Sequence, residues 1–348
     1  MVVSEGCTVF VSGANGFIAS HVVNELLSSG YKVIGSVRSQ AKADQLLEHF
    51  SHPELTISIV SDISAAAAFD EIFSKYGQDI KVVLHTASPF HYDTEDCEKD
   101  LLQPAVEGTK SILQAIKKYA AHSVERVVIT SSDAAVTSYE SDIDPKNLHT
   151  EDSWNSITWE EACKDAEAAY YGSKTFAERA AWEFMHENEG KINFKLSTVN
   201  PVWVFGPQLS DSNATGRLNT SCQYINDLVH STPKTKLDMS IAGGYVDVRD
   251  VARAHLAAFQ KAAAIGQRLV LCAGRFTLVN IVDVLDKRFP KLKGKIASGD
   301  AEESKKLLSS LARYDYSKTN HILEFEFLPF EKTIYDTAAQ VLKVEGRL

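Results

Sequence analysis

Through the first 200 positions, short runs of β-branched and aliphatic residues alternate with longer amphipathic stretches. The runs "CTVFVSG", "YKVIGSV", "LTISIVSD", "KVVLHTAS", "RVVITSS" and "FKLSTVNP" are apolar nearly throughout, not at every second position. Strands of that kind are covered on both faces, as in a parallel sheet flanked by helices. The segments between them carry helical periodicity, so the pattern predicts an α/β fold with a doubly wound parallel sheet. After Pro201 the alternation weakens into a loop that runs through Asn219, followed by a helix. The run "YVDVRDVARAHLAAFQK" reads as one amphipathic helix with Asp247 or Asp250 near its start, and residues from about 273 onward read as short helices and strands. No repeat, low-complexity tract or flexible linker separates the parts. The expected organisation is a large domain, 1–200 plus about 240–272, and a smaller C-terminal lobe, about 201–239 and 273–348, packed directly on it.

The chain has 348 residues and a formal net charge of -10. That balance disfavours a nucleic-acid surface, which needs clustered Lys and Arg, so any anionic ligand must be held by a local site. Five cysteines, Cys7, Cys97, Cys163, Cys222 and Cys272, are widely spaced with no C-x-x-C pair, which predicts reduced thiols and a cytoplasmic protein. No basic-then-apolar leader and no membrane-length apolar run stand out, so neither secretion nor a membrane is expected. The eleven histidines show no metal-ligand spacing, and no metal is expected.

Candidate chemistry begins at "VFVSGANGFIASHVVNELLSSG", a strand, a tight turn and a helix. Gly13 permits the turn, Gly16 lets a pyrophosphate approach the backbone, and Ala19 lets the helix lie close to the strand. At the first strand-to-helix junction of a βαβ pattern, this turn predicts a dinucleotide site and makes the sheet a Rossmann sheet. At the end of the second strand, "GSVRSQAKA" places Arg38 and Lys42 where an NAD site would hold a carboxylate for the ribose. Two cations there would neutralise a 2′-phosphate, so the cofactor read is NADP(H).

"RVVITSSDAAV" ends the fifth strand on Ser131 and Ser132, and "YYGSK" follows on a helix, with Tyr170 and Tyr171 both within a turn of Lys174. A second Tyr-x-x-x-Lys, Tyr314 and Lys318 in "YDYSK", has no such strand before it. Tyr170, Lys174, Ala177 and Ala181 form a helical stripe of small residues suited to a sheet, whereas Tyr171 leads into Thr175, Glu178 and Trp182. The stripe favours Tyr170 as the one that faces the site. A lysine cation one turn away would lower the tyrosine's pKa from its free value near ~10.

Together "VFVSGANGFIA", "VLHTASPF", "ERVVITSS", "YxGSK", "VNPVxVFGP", "LNTS" and "YVDVRDVARAHLAAFQ" closely resemble the extended short-chain dehydrogenase/reductase family over nearly the whole chain. Within it, the resemblance is to yeast NADPH-dependent carbonyl and methylglyoxal reductases and, more distantly, to plant dihydroflavonol reductases. The resemblance implies Ser132 as the hydroxyl that hydrogen-bonds a substrate carbonyl, Tyr170 as proton donor, and Lys174 as its partner and a ligand of the nicotinamide ribose. It implies Asn15, Phe17 and Ile18 in the phosphate turn, Asp62 and Ile63 near the adenine, and Thr86, Ala87, Ser88, Pro201 and Val204 along the cofactor. Pocket walls implied are Phe90, Asp133, Val136, Thr137, Glu167, Trp203 and Ser221.

Two departures stand out. Ala105 in "PAVEGTKSIL" takes the place of an Asn that many extended members carry, so no fourth catalytic residue is assigned. Asp133 follows Ser132, either as a wall that disfavours acidic substrates or as a carboxylate turned to solvent or capping a helix. The expected activity is NADPH-dependent reduction of ketones, α-ketoesters and aldehydes, reversible as an alcohol dehydrogenase, by a monomer or homodimer. The alternatives are a nucleotide-sugar epimerase or dehydratase, opposed by Arg38 and by Ala134 after Asp133, and a catalytically silent NADP sensor, opposed by an intact Ser132, Tyr170 and Lys174.

Overall fold

The structure, a computed structural model, describes residues 3–88, 94 and 96–348. In chain order it contains β1 (Thr8–Ser12), α1 (Phe17–Ser28), β2 (Lys32–Val37), α2 (Gln40–Phe50), β3 (Leu55–Ile59), α3 (Asp70–Tyr76), β4 (Ile80–His85), α4 (Gln103–Tyr119) and β5 (Arg126–Thr130). Then come α5 (Tyr139–Asp142), β6 (Leu148–Thr150), α6 (Trp159–Ala162), α7 (Ala166–Glu187), β7 (Lys195–Pro201), β8 (Trp203–Phe205), α8 (Thr220–Val229), β9 (Ala242–Asp247) and α9 (Val248–Gln260). The chain closes with β10 (Arg268–Leu271), β11 (Gly274–Thr277), α10 (Leu278–Arg288), α11 (Ala301–Ser310), β12 (Arg313–Asp315), α12 (Ser317–Leu323) and α13 (Phe330–Val344).

Seven strands form one parallel sheet in the order β10-β7-β5-β4-β1-β2-β3. Consecutive residues of β1 show why its sequence is apolar throughout. Val9 and Val11 pack with Val22, Val23 and Leu26 of α1 and with Val251 and Phe259 of α9. Phe10, between them, points the other way, into Phe73 of α3 and Ile112 and Ile116 of α4. All three strand residues are fully buried, each worth roughly 1.5–3 kcal/mol in transfer free energy. The doubly wound α/β expectation is met.

Beyond Pro201 the structure departs from the sequence reading in two places. "YVDVRDVARAHLAAFQK" is not one helix: its first three residues end β9, and Asp247 caps α9 by accepting a hydrogen bond from the Arg249 amide. β9 pairs with β8 and β11 in a separate three-stranded sheet, while β10 joins the large sheet beside β7. Residues 240–272 thus contribute to both layers. A further pair, β12 with β6, joins residues far apart in sequence in parallel register.

The order of the large sheet reverses at β1, where β4 lies on one side and β2 on the other. Open α/β sheets bind ligands at the carboxyl ends of strands at such a switch point.

Candidate active site

At the switch point the ends of β1 and β4 are tied together by one buried serine. Ser12 Oγ lies 2.8 Å from His85 Nδ1 and accepts hydrogen bonds from the Thr86 and Ala87 amides, each at 3.0 Å. Burial, reinforced by the Lys174 charge, holds His85 neutral, with its pKa down at about 3. Gly13 follows at φ +65°, and a Cβ there would lie 3.0 Å from Ala87 Cα and Cβ. A side chain would fill this approach and demand a left-handed backbone as well. Gly16 then opens α1 in extended conformation with no side-chain cap, and the first turn holds no acidic residue. The unfilled turn and the free amides of α1 fit a pyrophosphate.

Asn15, Phe17 and Lys42 line a cleft of ≈ 210 Å³ together with Ser20, Gln45 and residues 208–213. That last segment is held over the cleft by Gln208, which bonds Gln340 of α13, and by Asp211, which pairs with Lys343 at 2.7 Å. Nothing local in the sequence marks it. Arg38 stands exposed at the end of β2. Lys42 Nζ reaches Gln45 at 3.3 Å. Ile18 lies in the first turn of α1. After β3, Asp62 accepts from the amide and hydroxyl of Ser64, bonds that hold its carboxyl below the usual range, and Ile63 packs beside α4. Pro201 and Val204, both buried, lie at the end of β7 and in β8. A larger cavity of ≈ 730 Å³, bordered by α8, α10 and α13, contains none of the residues expected at the site.

β5 delivers Ser132 to the same edge. Its backbone is extended, and its Oγ accepts the Ala134 amide at 3.1 Å, capping a short 3₁₀ turn over 133–135. Ser132, not Asp133, is the cap. The Tyr170 hydroxyl lies 3.2 Å from Ser132 Oγ, and Lys174 Nζ lies 5.8 Å from the Tyr170 ring centre. Burial lowers the Lys174 pKa to about 8. Tyr171 is different: burial, and after it the Asp133 charge, raises its pKa well above the ordinary tyrosine value.

The stripe argument for Tyr170 is corrected by the structure. The buried stripe of α7 is the other one, with Thr175 and Glu178 inside beside Ala181, while Ala177 is only half-buried. Thr175 Oγ1 donates to the Ala134 carbonyl. Glu178 accepts from Ser131 Oγ at 2.6 Å, Asn200 Nδ2 at 2.6 Å and Arg268 Nε at 2.6 Å. Asn200 also donates to the Ser132 carbonyl at 3.0 Å. Tyr170 therefore meets Ser132 from the flank of the helix face, not from its centre.

Of the expected walls, Asp133 is adjacent to Ser132, which reaches its Oδ1 at 3.2 Å. Trp203 is half-buried against Phe205, Tyr224 and Phe276. Ser221, at the start of α8, donates to the Val204 carbonyl. Val136 and Thr137 are fully buried, the former against Val270 and Tyr316, the latter bonded to His149 Nε2 at 3.0 Å. Glu167 is exposed in the first turn of α7. Phe90 lies outside the described residues. Tyr314 and Lys318 are not a helical pair: Tyr314 sits in β12 and bonds Asp142 at 2.5 Å, while Lys318 faces Asp152 at 4.0 Å in the next helix.

The family model described as "NAD dependent epimerase/dehydratase family" matches residues 9–273, from β1 to the end of β10 and just beyond. The chain belongs to that family. Among relatives, the NADPH-dependent methylglyoxal reductase of Saccharomyces cerevisiae is 52% identical over 342 residues, 98% of this chain and 100% of that protein. The crystal structure of yeast methylglyoxal/isovaleraldehyde reductase complexed with NADPH superposes with a TM-score of 0.95 over 98% of this chain and all of the other. A related reductase–NADPH complex from Candida albicans, 45% identical, gives 0.93 over 97% of this chain and 99% of the other. The resemblance read from the motifs is thus met at the level of the family and of this branch.

Within this epimerase/dehydratase-family chain, the residues missed in sequence are Ser12, His85, Glu178, Asn200 and Arg268. Glu178 stands four beyond Lys174, a spacing that reads as an exposed helical pair and so does not mark a buried network. Arg268 carries no local signal at all.

Proposed function

We propose that this chain is an NADPH-dependent reductase of ketones, α-ketoesters and aldehydes, reversible as an alcohol dehydrogenase. The single observation that carries the reading is Ser132 Oγ within 3.2 Å of the Tyr170 hydroxyl, at the strand ends that also present the Gly13 turn. Gly13, Asn15, Gly16, Phe17 and Ile18 hold the pyrophosphate end, Arg38 and Lys42 the 2′-phosphate, and Lys174 the nicotinamide ribose. When bound, NADPH supplies the hydride. Ser132 and Tyr170 then orient the carbonyl and stabilise its oxygen, and Tyr170 gives up its proton. Lys174, cationic below about 8, favours the phenolate that this leaves. The NADPH named in the relatives' titles supports the cofactor reading. The smaller lobe, with Trp203 and Ser221 at its edge, takes the rest of the substrate.

A carbonyl panel assayed by NADPH oxidation tests the activity, with ketones, α-ketoesters and aldehydes all expected to turn over. No oxidation with any member would overturn the reading. Arg38→Glu is expected to raise KM for NADPH by roughly 10–100-fold, the loss of one charge-assisted contact plus repulsion, with much less change for NADH. Equal effects on the two cofactors would remove Arg38 from the phosphate site.

A further inference from the structure

Ser132 Oγ has three neighbours, enough to fill every hydrogen-bonding place it has. A hydroxyl offers one proton and two lone pairs. The Ala134 amide occupies one lone pair at 3.1 Å, and the Tyr170 hydroxyl and Asp133 Oδ1 each lie at 3.2 Å. An ionised Asp133 can only accept, so it takes the serine's proton, and the serine's remaining lone pair draws the Tyr170 O–H. In that arrangement the serine has no proton to offer a substrate carbonyl. A neutral Asp133 can donate from Oδ1 and fill the second lone pair. The serine's own proton is then available for the carbonyl.

We propose that Asp133 is a positioning residue that sets the direction of the Ser132 hydrogen bond, its neutral carboxyl being the form that leaves the Ser132 proton for the substrate. This rests on the reading of those two hydroxyls as the groups that address the carbonyl. No bond to Asp133 is made or broken in a turnover, because solvent pH alone sets its protonation.

The surroundings fit a carboxyl that changes its protonation near neutral pH. Among the described residues Asp133 faces Asp142 of α5, Tyr171 of α7, Tyr314 and Tyr316 at and just after β12, and Cys272 after β10. Glu167 acts on Tyr171, and Glu151 on Tyr316, from further out. The cationic Arg275 and the titratable His149 act on Asp142. Burial first, and the Asp142 charge second, push the Asp133 pKa up to about 7, against the opposing Ser132 hydrogen bond. The group is thus neutral below about 7 and ionised above it.

The test is kcat/KM for ketone reduction from about pH 5.5 to about 9, a range that brackets both titrations. The wild-type protein is expected to lose activity as pH rises through about 7, approaching tenfold per unit, before a further fall above about 8 from Lys174. In Asp133→Asn the first limb vanishes and only the second remains. An Asp133→Asn profile that keeps the limb overturns the proposal. Asp142→Asn removes the neighbouring charge and moves the same limb to lower pH, and a limb that stays in place also overturns it. NADPH binding by fluorescence titration reports folding of each variant, and if Asp133→Asn fails to bind, the Asp142→Asn arm decides. An infrared titration of the cofactor-free protein, wild type minus Asp133→Asn, is expected to show a protonated carboxyl band lost near pH 7. Absence of that band at mildly acidic pH counts against Asp133 alone, whereas an active Tyr170→Phe counts against the reading beneath it.

Discussion

Tyr170→Phe lowers kcat/KM for ketone reduction by roughly 10²–10⁴-fold, the usual contribution of a positioned general acid, while Tyr171→Phe retains most of the activity. The two rings are neighbours, 6.1 Å apart, yet they are not chemically equivalent. Tyr170 touches Ser132 and has the Lys174 cation beside its ring, so a phenolate formed there is attracted to a charge. Tyr171 sits among Asp133, Asp142 and Glu167, and both burial and those carboxylates oppose loss of its proton. Steady-state kinetics of both variants with one good ketone decides the matter. Comparable losses in the two would move the proton donor away from Tyr170.

Arg268→Ala is expected to cost about 3–5 kcal/mol of folding stability, the usual consequence of stranding one member of a buried ion pair. Glu178 and Arg268 are both almost entirely buried. Besides Glu178, Arg268 bonds the carbonyls of Glu151, Ser153 and Ala135, and it lies over the Trp154 ring at 3.9 Å. Glu178 in turn collects donors from β5 and β7, including Ser131, Thr198 and Asn200. For that reason a double change, Glu178→Leu with Arg268→Met, recovers only part of the loss: it removes the stranded charge but also takes away the acceptor of the Ser131 hydroxyl and the Trp182 ring N–H. Denaturant unfolding measures both. A loss below about 1 kcal/mol in Arg268→Ala, the value of an ordinary surface ion pair, would show that the network is not a structural hub.

How far the sequence carries depends on where the partner of each residue lies. The strands were legible because Val9, Phe10 and Val11 are all apolar, and only two covered faces explain that. Ser132, Tyr170 and Lys174 were legible because a strand end and a helical spacing place them, without help from distant chain. The stripe argument failed on α7 because periodicity treats Glu178 as a surface residue. Its partner Arg268 is 90 positions away, outside any local window. β10 is four residues long, too short to stand out from the loop before it. β9 and α9 merged in the reading because Asp247 is at once the last residue of the strand and the cap of the helix. The 208–213 segment over the cleft beside α1 depends on α13, which no motif links to it.

The pairing of β12 with β6 bears on the order in which this molecule can be assembled. Arg313, Tyr314 and Asp315 align with Leu148, His149 and Thr150, and the Ala312 amide bonds the Asp142 carbonyl at 2.7 Å. Synthesis proceeds from the amino end, and so long a loop must close before its contacts reward it. A nascent chain therefore carries the Gly13 turn, Ser132, Tyr170 and Lys174 long before it carries the strand that encloses Asp142 behind Asp133. Until that strand docks, water reaches those carboxylates and the low-dielectric wall beside Ser132 does not exist, so the surroundings of Ser132 are completed late, by residues that come from the far end of the chain.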